Sequence, residues 1–479
     1  MNSTLTNPDL APTTPAQRTW SMWHVAALWI GMAVCIPTYM LAAGMIEQGM
    51  SWWQAVATVL LGNLVVLVPM ILNGHGGTKY GVPFPVLARA SFGTAGAQIP
   101  SIARALVACG WFGIQTWIGG AAIYQILGAM GAIDVATDTH RLAVIGLTAA
   151  QFGCFLAFWL VHVVLVLFGI DSIKWVEAWS APFLIAAGLA LLAWAVMRVD
   201  DIASLFPSSR FERPGQFWRV FFPQLTAMVG FWATLSLNIP DFTRYCRSQR
   251  DQALGQLLGL PTTMTLFCFI GIVVTSATVV IFGKAIWDPV ELVGRLGASP
   301  PVVVIAMLAI LVATLSTNIA ANIVSPANGF SNLWPSRVSF RAGALLTCAI
   351  GVVMMPWYLL ESLSAYLFTW LIGYSALLGP IAGIMLCDYF VLRRMRLDEA
   401  ALYDPAGQYR GVNWRAVAAL VFAVLPNLPG FVNAATGTTR FPPIFDTIYG
   451  YAWFVGVAIA AILYYVLMRG RAVPAPRRG

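Results

Sequence analysis

A chain of 479 residues that is 59% hydrophobic and only 10% charged, with 19 Trp and 27 Phe, is excluded from the soluble globular proteins. Its formal charge of +8 suits a basic surface touching anionic lipid and requires no nucleic-acid partner. The seven Cys fall mostly inside apolar runs without metal-like spacing, which argues against a disulfide scaffold or a bound cofactor.

Uncharged runs long enough to cross a hydrocarbon core of roughly 30 Å recur along the whole length. They predict twelve membrane helices, at 25–46, 53–73, 98–128, 142–170, 175–197, 220–239, 256–283, 300–325, 342–359, 363–387, 416–433 and 446–468. The first 20 residues are polar, carry Pro8, Pro12 and Pro15, and contain no short apolar segment closed by a cleavage site. They are expected to form a disordered tail and not a signal peptide. With an even number of spans the two termini share one side. Eighteen of the 27 Lys and Arg lie in the loops on that side and eight on the other, with Arg104 left near the end of the third span. The positive-inside rule then puts both termini in the cytoplasm of a multi-pass protein of the cell (inner) membrane.

The first span holds Gly31-Met-Ala-Val-Cys35-Ile-Pro37-Thr38-Tyr39, where the proline removes a helical hydrogen bond. The segment Asn73 to Gly93, rich in glycine, reads as a loop followed by a short amphipathic piece, Val86 to Ser91. The third span has no charge from Ala105 to Leu127 but carries Trp111 and Gln115 four residues apart, on one helical face. A flat ring one turn from an amide suits a planar ligand with hydrogen-bonding edges. Arg104, seven residues earlier, either lines the inward path or snorkels to lipid phosphates.

The sixth span, Gly230-Phe-Trp232-Ala-Thr-Leu-Ser-Leu-Asn238-Ile-Pro240, is the second one interrupted by glycine, amide and proline. Asp241 and Arg244 just beyond it are expected to cap the helix and pair. Irregular backbone at membrane depth survives only where protein buries it or a cavity wets it. Two breaks five spans apart therefore suggest an inverted repeat of five plus five helices with the site between the breaks. The repeats are expected over 21–200 and 201–390, with accessory helices eleven and twelve over 391–468 and tails at 1–20 and 469–479. Between spans seven and eight, Asp288-Pro289 should start a short helix.

Span eight is the most polar. Ala313, Ser316 and Thr317 stand at i, i+3 and i+4, so two hydroxyls and a carbonyl can meet carbonyls near Gly31 and Val34 of the broken first span around a desolvated Na⁺. The structural alternative is that the hydroxyls bond back to their own helix. Asn322, about 140° further round, is expected to face elsewhere and to find either Gln115 or a ligand. Trp111 and Trp232 could sandwich a planar heterocycle while the two amides read its edges.

The runs Trp111-Phe-Gly-Ile-Gln115-Thr-Trp117, Ser316-Thr-Asn-Ile-Ala-Ala-Asn322-Ile-Val-Ser-Pro326, Gly379-Pro-Ile-Ala-Gly383, Asp388-Tyr-Phe and Gly411-Val-Asn-Trp414 closely resemble the nucleobase–cation symporter family. The resemblance covers nearly the whole chain. It implies a twelve-helix fold of the LeuT type and alternating-access symport of uracil, cytosine, allantoin or hydantoin-like compounds. The pattern of the hydantoin-transporting members falls on Trp111, Gln115, Trp232 and Asn322 as substrate contacts. Their sodium site falls on the backbone of Gly31, Val34 and Ala313 and the hydroxyls of Ser316 and Thr317. Two positions depart from that pattern: Cys35 stands in place of a glutamine and Phe231 in place of a glycine. The first loses an amide and the second fills space that a bulky ring substituent would need, so a compact ring is expected. The expected function is import of a small planar compound, uracil or allantoin best, by cation symport, with no covalent chemistry. The alternatives are a proton-coupled permease for cytosine, purine or thiamine, and, less in keeping with the residues, a membrane enzyme or channel. The expected partners are the small-molecule substrate and the lipid bilayer, with the protein as a monomer.

Overall fold

Hydrocarbon offers no partner to a backbone amide or carbonyl, so a chain of this composition is driven into helices. The computed structural model describes residues 4–168, 171–297 and 299–470, with the backbone alone at 171–181, 183 and 184. Among the described residues the regular structure is helical apart from two isolated β-bridges. The expected basic tail beyond residue 470 lies outside the described residues.

The first span is two helices, α1 (Met22–Ala33) and α2 (Ile36–Glu47), bent by 61°. The break falls at Val34–Cys35, and Pro37 sits in the first turn of α2, where its missing N–H costs nothing. Next come α3 (Trp52–Tyr80), α4 (Phe84–Phe92), α5 (Gln98–Ala129), α6 (Ala149–Phe168) and α7 (Asp171–Arg198). The sixth span is broken twice, into α8 (Gln216–Phe231), α9 (Ala233–Asn238) and α10 (Pro240–Thr243), with Pro240 again at a helix start. Then follow α11 (Gln249–Phe282), the short α12 (Pro289–Arg295), α13 (Pro300–Asn322), α14 (Val324–Leu333), α15 (Phe340–Val353) and α16 (Ile372–Leu386). The chain ends in α17 (Trp414–Val424), α18 (Leu428–Thr436), α19 (Pro443–Gly450) and α20 (Ala452–Met468). As expected, the Asp288 side chain caps α12, accepting from the Val290 amide at 2.8 Å.

Among the described residues, seven helices or unbent helix runs have the length and hydropathy to cross a membrane. They are α3, α5, α6, α11, the α13–α14 run, the run around α16 and the α17–α18 run. Two bent pairs, α1–α2 and α19–α20, also qualify. The other three expected runs fall on α7, α8–α10 and α15.

Two expectations are corrected. Residues 4–20 are not a loose tail. Leu10 is completely buried, the Thr13 hydroxyl donates to the Arg244 carbonyl at 2.7 Å, and the Arg18 guanidinium donates to the carbonyls of Thr13 and Thr78. The polar segment is held because it satisfies carbonyls left free where the helices end. The glycine-rich stretch from Asn73 is the last turns of α3 and not a loop. Here glycine allows contact: a Cβ on Gly77 would stand 2.7 Å from the Cα of Pro240. Beyond it, α4 has no solvent face, since all nine of its residues are buried.

The Gly379-Pro-Ile-Ala-Gly383 run has a packing role. A Cβ on Gly383 would meet the Val457 carbonyl oxygen at 2.5 Å, and one on Gly379 the Trp453 carbonyl oxygen at 2.9 Å. Small residues one turn apart thus seat α20 on α16, where lipid provides no hydrophobic drive and close contact must supply the adhesion. At the end of this pair, Arg393 Nε meets Asp388 Oδ2 at 2.6 Å, and the Tyr464 hydroxyl donates to Asp388 Oδ1 at 2.8 Å. Asn413 binds both the Ser91 carbonyl and the Tyr464 hydroxyl, while Arg89 donates to the Leu5 carbonyl. The N-terminal segment and the end of α20 therefore gather at one face of the bundle.

Asp388 is fully buried and Arg393 nearly so, so removing one partner strands a charge. Arg393→Met is expected to lower stability by about 3–5 kcal/mol, read as a lower melting temperature of the detergent-purified protein. Combined with Asp388→Asn it should cost less than the two single losses together; strict additivity would show that the pair is uncoupled.

Candidate substrate-binding site

Four elements meet where the two spans break. α5 brings Trp111 and Gln115, the α1–α2 break brings Met32 and Cys35, and the α8–α9 break brings Phe231, Trp232, Thr234 and Leu235. The C-terminal turn of α13 brings Thr317, Ala321 and Asn322. Together these residues line one small cavity of about 30 Å³, room for a water molecule or two as the side chains stand, so a ring must displace side chains to enter. Every one of them is buried. All six residues expected to touch substrate, Trp111, Gln115, Trp232, Asn322, Phe231 and Cys35, are in that wall.

The aromatic part differs from the expected sandwich. The Phe231 ring stands between the two indoles, 5.1 Å from Trp111 and 4.9 Å from Trp232, edge-on to both. Phe231 is the last residue of α8 and Trp232 leaves the helical conformation, at φ −101° and ψ 5°; this turn puts consecutive rings side by side. Each indole is also anchored behind the cavity. Trp111 Nε1 donates to the Tyr374 hydroxyl at 3.3 Å, and Trp232 Nε1 donates to Asn63 Oδ1 at 3.1 Å. Tyr374 and Asn63 carried no sequence signal, because their role depends on contacts between helices far apart in the chain.

The amides do not satisfy each other. Gln115 Oε1 is buried without a partner, whereas Asn322 Nδ2 donates to Asn318 Oδ1 at 3.0 Å. An unmet buried carbonyl costs about 1–3 kcal/mol, which a ligand N–H can recover. Asn318 was missed, although its i, i+4 spacing from Asn322 was readable. Asn322 does not face away from Thr317: both line the cavity, because α13 ends at Asn322 and the cavity spans its last turn.

The expected cation ligands lie on the neighbouring surfaces. α1 ends at Ala33, so its last carbonyls have no helical partner, and the C-terminal end of its dipole is negative. The Thr317 hydroxyl donates to the Gly31 carbonyl at 3.3 Å. Val34 and Ala313 share one buried cluster, and Ser316 is buried one turn on from Ala313. Neutral hydroxyl and carbonyl oxygens fit a hard, weakly charged cation. Among the described residues no group of three His, Cys, Asp or Glu could hold a transition metal.

Below the cavity, toward the face of the termini, the polar contacts also differ from expectation. Arg104 does not snorkel; it is buried and its Nε donates to Asn238 Oδ1 at 3.1 Å. Asp241 does not take Arg244 as its hydrogen-bonding partner. It accepts from the Phe84 amide at 2.8 Å and the Ser325 hydroxyl at 2.6 Å, and Asn238 Nδ2 donates to that same hydroxyl. Arg244 instead donates to the Asp9 carbonyl. Residues of α4, α5, α9, α10 and α14 are joined by this floor.

A buried polar cavity at two breaks in a helical membrane bundle defines a solute carrier. A family model described as "Permease for cytosine/purines, uracil, thiamine, allantoin" matches residues 12–456. The chain is 47% identical to the purine-uracil permease NCS1 of Arabidopsis thaliana, over 97% of this chain and 78% of that protein. It is 39% identical to the allantoin permease of Bacillus subtilis, over 97% of this chain and 93% of the relative. Among solved structures it resembles Mhp1, described as a nucleobase-cation-symport-1 family transporter in a closed conformation with bromovinylhydantoin bound. That likeness has a TM-score of 0.78 at 27% identity and covers 97% of this chain and 95% of the other. The chain belongs to the cytosine/purine, uracil, thiamine and allantoin permease family. It has the LeuT-type helical fold and is a membrane permease, not an enzyme.

Gln115→Ala and Asn322→Ala are each expected to abolish uptake while membrane expression stays normal. Radiolabelled uptake alongside surface quantification checks this; normal transport by both variants would remove these residues from the site.

Proposed function

We propose that this permease imports a small planar nucleobase or ureide, uracil or allantoin in the first instance, together with Na⁺, with both termini in the cytoplasm. The observation that carries the reading is the orphaned Gln115 Oε1 facing a small cavity walled by Trp111, Phe231 and Trp232. A compact ring with N–H and C=O edges satisfies that carbonyl and stacks on the rings. The similarity to a purine-uracil permease and to an allantoin permease supports the same choice.

Na⁺ would be held by the carbonyls of Gly31, Val34 and Ala313 and the hydroxyls of Ser316 and Thr317. Thr317 belongs to both places: it binds the Gly31 carbonyl and lines the cavity. An ion that pins the end of α1 to α13 also shapes the substrate wall, and by reciprocity the substrate strengthens ion binding. The bends in the first and sixth spans are the natural hinges on which access would alternate between the two sides.

In cells expressing the protein, uracil or allantoin is expected to be accumulated and to compete with the other, while cytosine, thiamine, hypoxanthine and hydantoin rank behind. If no compound of this set is transported or competes, the substrate reading falls. Replacing Na⁺ at constant pH should cut uptake; undiminished uptake that instead follows the proton gradient would transfer the coupling to H⁺.

Phe231→Gly empties the space between the indoles. A hydantoin with a bulky 5-substituent is then expected to compete about tenfold or more better than against the native protein, by analogy with the discrimination hydrophobic pockets achieve. An unchanged inhibition constant would show that Phe231 does not limit ligand size.

A further inference from the structure

Between α7 and α13, beside α12, lies a crevice of about 510 Å³, far larger than the space at the two breaks. Its origin is in the sequence: the facing helices carry small residues there, Gly188 and Ala190 on α7 and Ala306 and Ala309 on α13. Small residues commonly let membrane helices touch. Here Pro289 and Val293 of α12 line the outer end and the space stays open.

The back wall is buried: Ile36 and Tyr39 in the first turn of α2, and Phe267 of α11, are each at most 5% exposed. The front is open. Ile305 is 63% exposed and Val302 50%, and Ala190 on the facing helix is exposed too. Residues 305–310 lie roughly 8–15 Å along α13 from its start at Pro300, which is hydrocarbon depth. The crevice therefore opens onto lipid. An apolar hollow does not hold water, and left empty it forfeits packing in proportion to its volume. Hydrocarbon is the filler that the surroundings supply.

The kind of hydrocarbon is indicated on α7. Leu191, Trp194 and Arg198, at i, i+3 and i+7, share one helical face and all line the crevice. Going outward, this face reads apolar chain, indole, cation, the order of a phospholipid from its tail through the interface to its phosphate. Arg198 ends α7 and is exposed, and among the described residues its guanidinium makes no hydrogen bond or ion pair. The neighbouring charges are committed elsewhere: Arg295 pairs with Glu291 at 2.9 Å, and Asp201 accepts from the Ala203 amide at 2.9 Å.

We propose that this crevice is a lipid site, in which one acyl chain of an anionic phospholipid lies between α7 and α13 with its phosphate on Arg198. The chain packs against Ile36 and Tyr39 and so braces α2 just beyond the break at Val34–Cys35. The site is separate from the substrate cavity and does not depend on what the protein carries.

The full-length protein is reconstituted with phosphatidylglycerol bearing a photoreactive diazirine in mid-chain. Peptides containing residues 186–198 and 302–310 are expected to carry most of the label. Label spread evenly over every lipid-facing helix would mean an annular shell only, and overturns the proposal. In detergent, phosphatidylglycerol is expected to bind about fivefold more tightly than phosphatidylcholine of the same chains, the contribution of one cation near a lipid surface. Arg198→Gln should abolish that preference while leaving the labelled peptides the same; equal binding of the two lipids by the native protein overturns the assignment of the phosphate to Arg198. Ala306→Phe fills the hollow and should remove the label from both helices; undiminished labelling in the folded variant overturns the proposal. If that variant does not fold, the labelling pattern of the native protein and of Arg198→Gln still decides.

Discussion

Everything distinctive in this bundle follows from the cost of an unpaired peptide group in hydrocarbon. A helix that stops halfway across a membrane leaves carbonyls and amides that lipid cannot satisfy, so the stop must be packed by protein or by cargo. Here two such stops, at Val34–Cys35 and at Trp232, are brought against each other and against the end of α13. The carbonyl end of α1 is met by the Thr317 hydroxyl, and the turn at Trp232 is covered by rings. Both the cavity and its neighbouring set of neutral oxygens are products of these interruptions.

Packing then decides how much room a ligand has. Trp111 is held by the Tyr374 hydroxyl and Trp232 by Asn63, so neither indole is free to swing aside, and Phe231 occupies the gap between them. On the proposed reading, size selection would reside in the phenyl ring, while the chemical reading of the ligand's edge would fall to Gln115 and Asn322. The division makes physical sense: an aromatic wall is tolerant of ring identity, whereas a buried amide has a definite donor and a definite acceptor end.

Charge is rationed in the same spirit. Arg104 and Asp241 are buried beneath the cavity, linked through Asn238 and Ser325, and Asp388 is paired with Arg393 further toward the face of the termini. Each carboxylate accepts from two or more donors, which offsets its loss of water. These clusters tie together helices that must stay aligned if the two broken spans are to move as units, and they account for charges that hydropathy alone would leave unexplained.

Much of this was legible in the order of residues. Apolar runs located the helices, prolines and glycines marked the broken spans, and the i, i+4 relation of Trp111 and Gln115 put a ring and an amide on one face. These are local properties, written in spacing, and a membrane enforces them strictly because it allows the backbone few alternatives. The partners of those residues were not legible. Phe231 between the indoles, Asn318 donating to the Phe112 carbonyl, Asp241 taken by Ser325 and Phe84, and the ordered segment around Leu10 all depend on groups from helices remote in sequence. Which of several nearby polar groups a buried atom bonds is a matter of distance and angle in the assembled bundle, and only the tertiary structure supplies those.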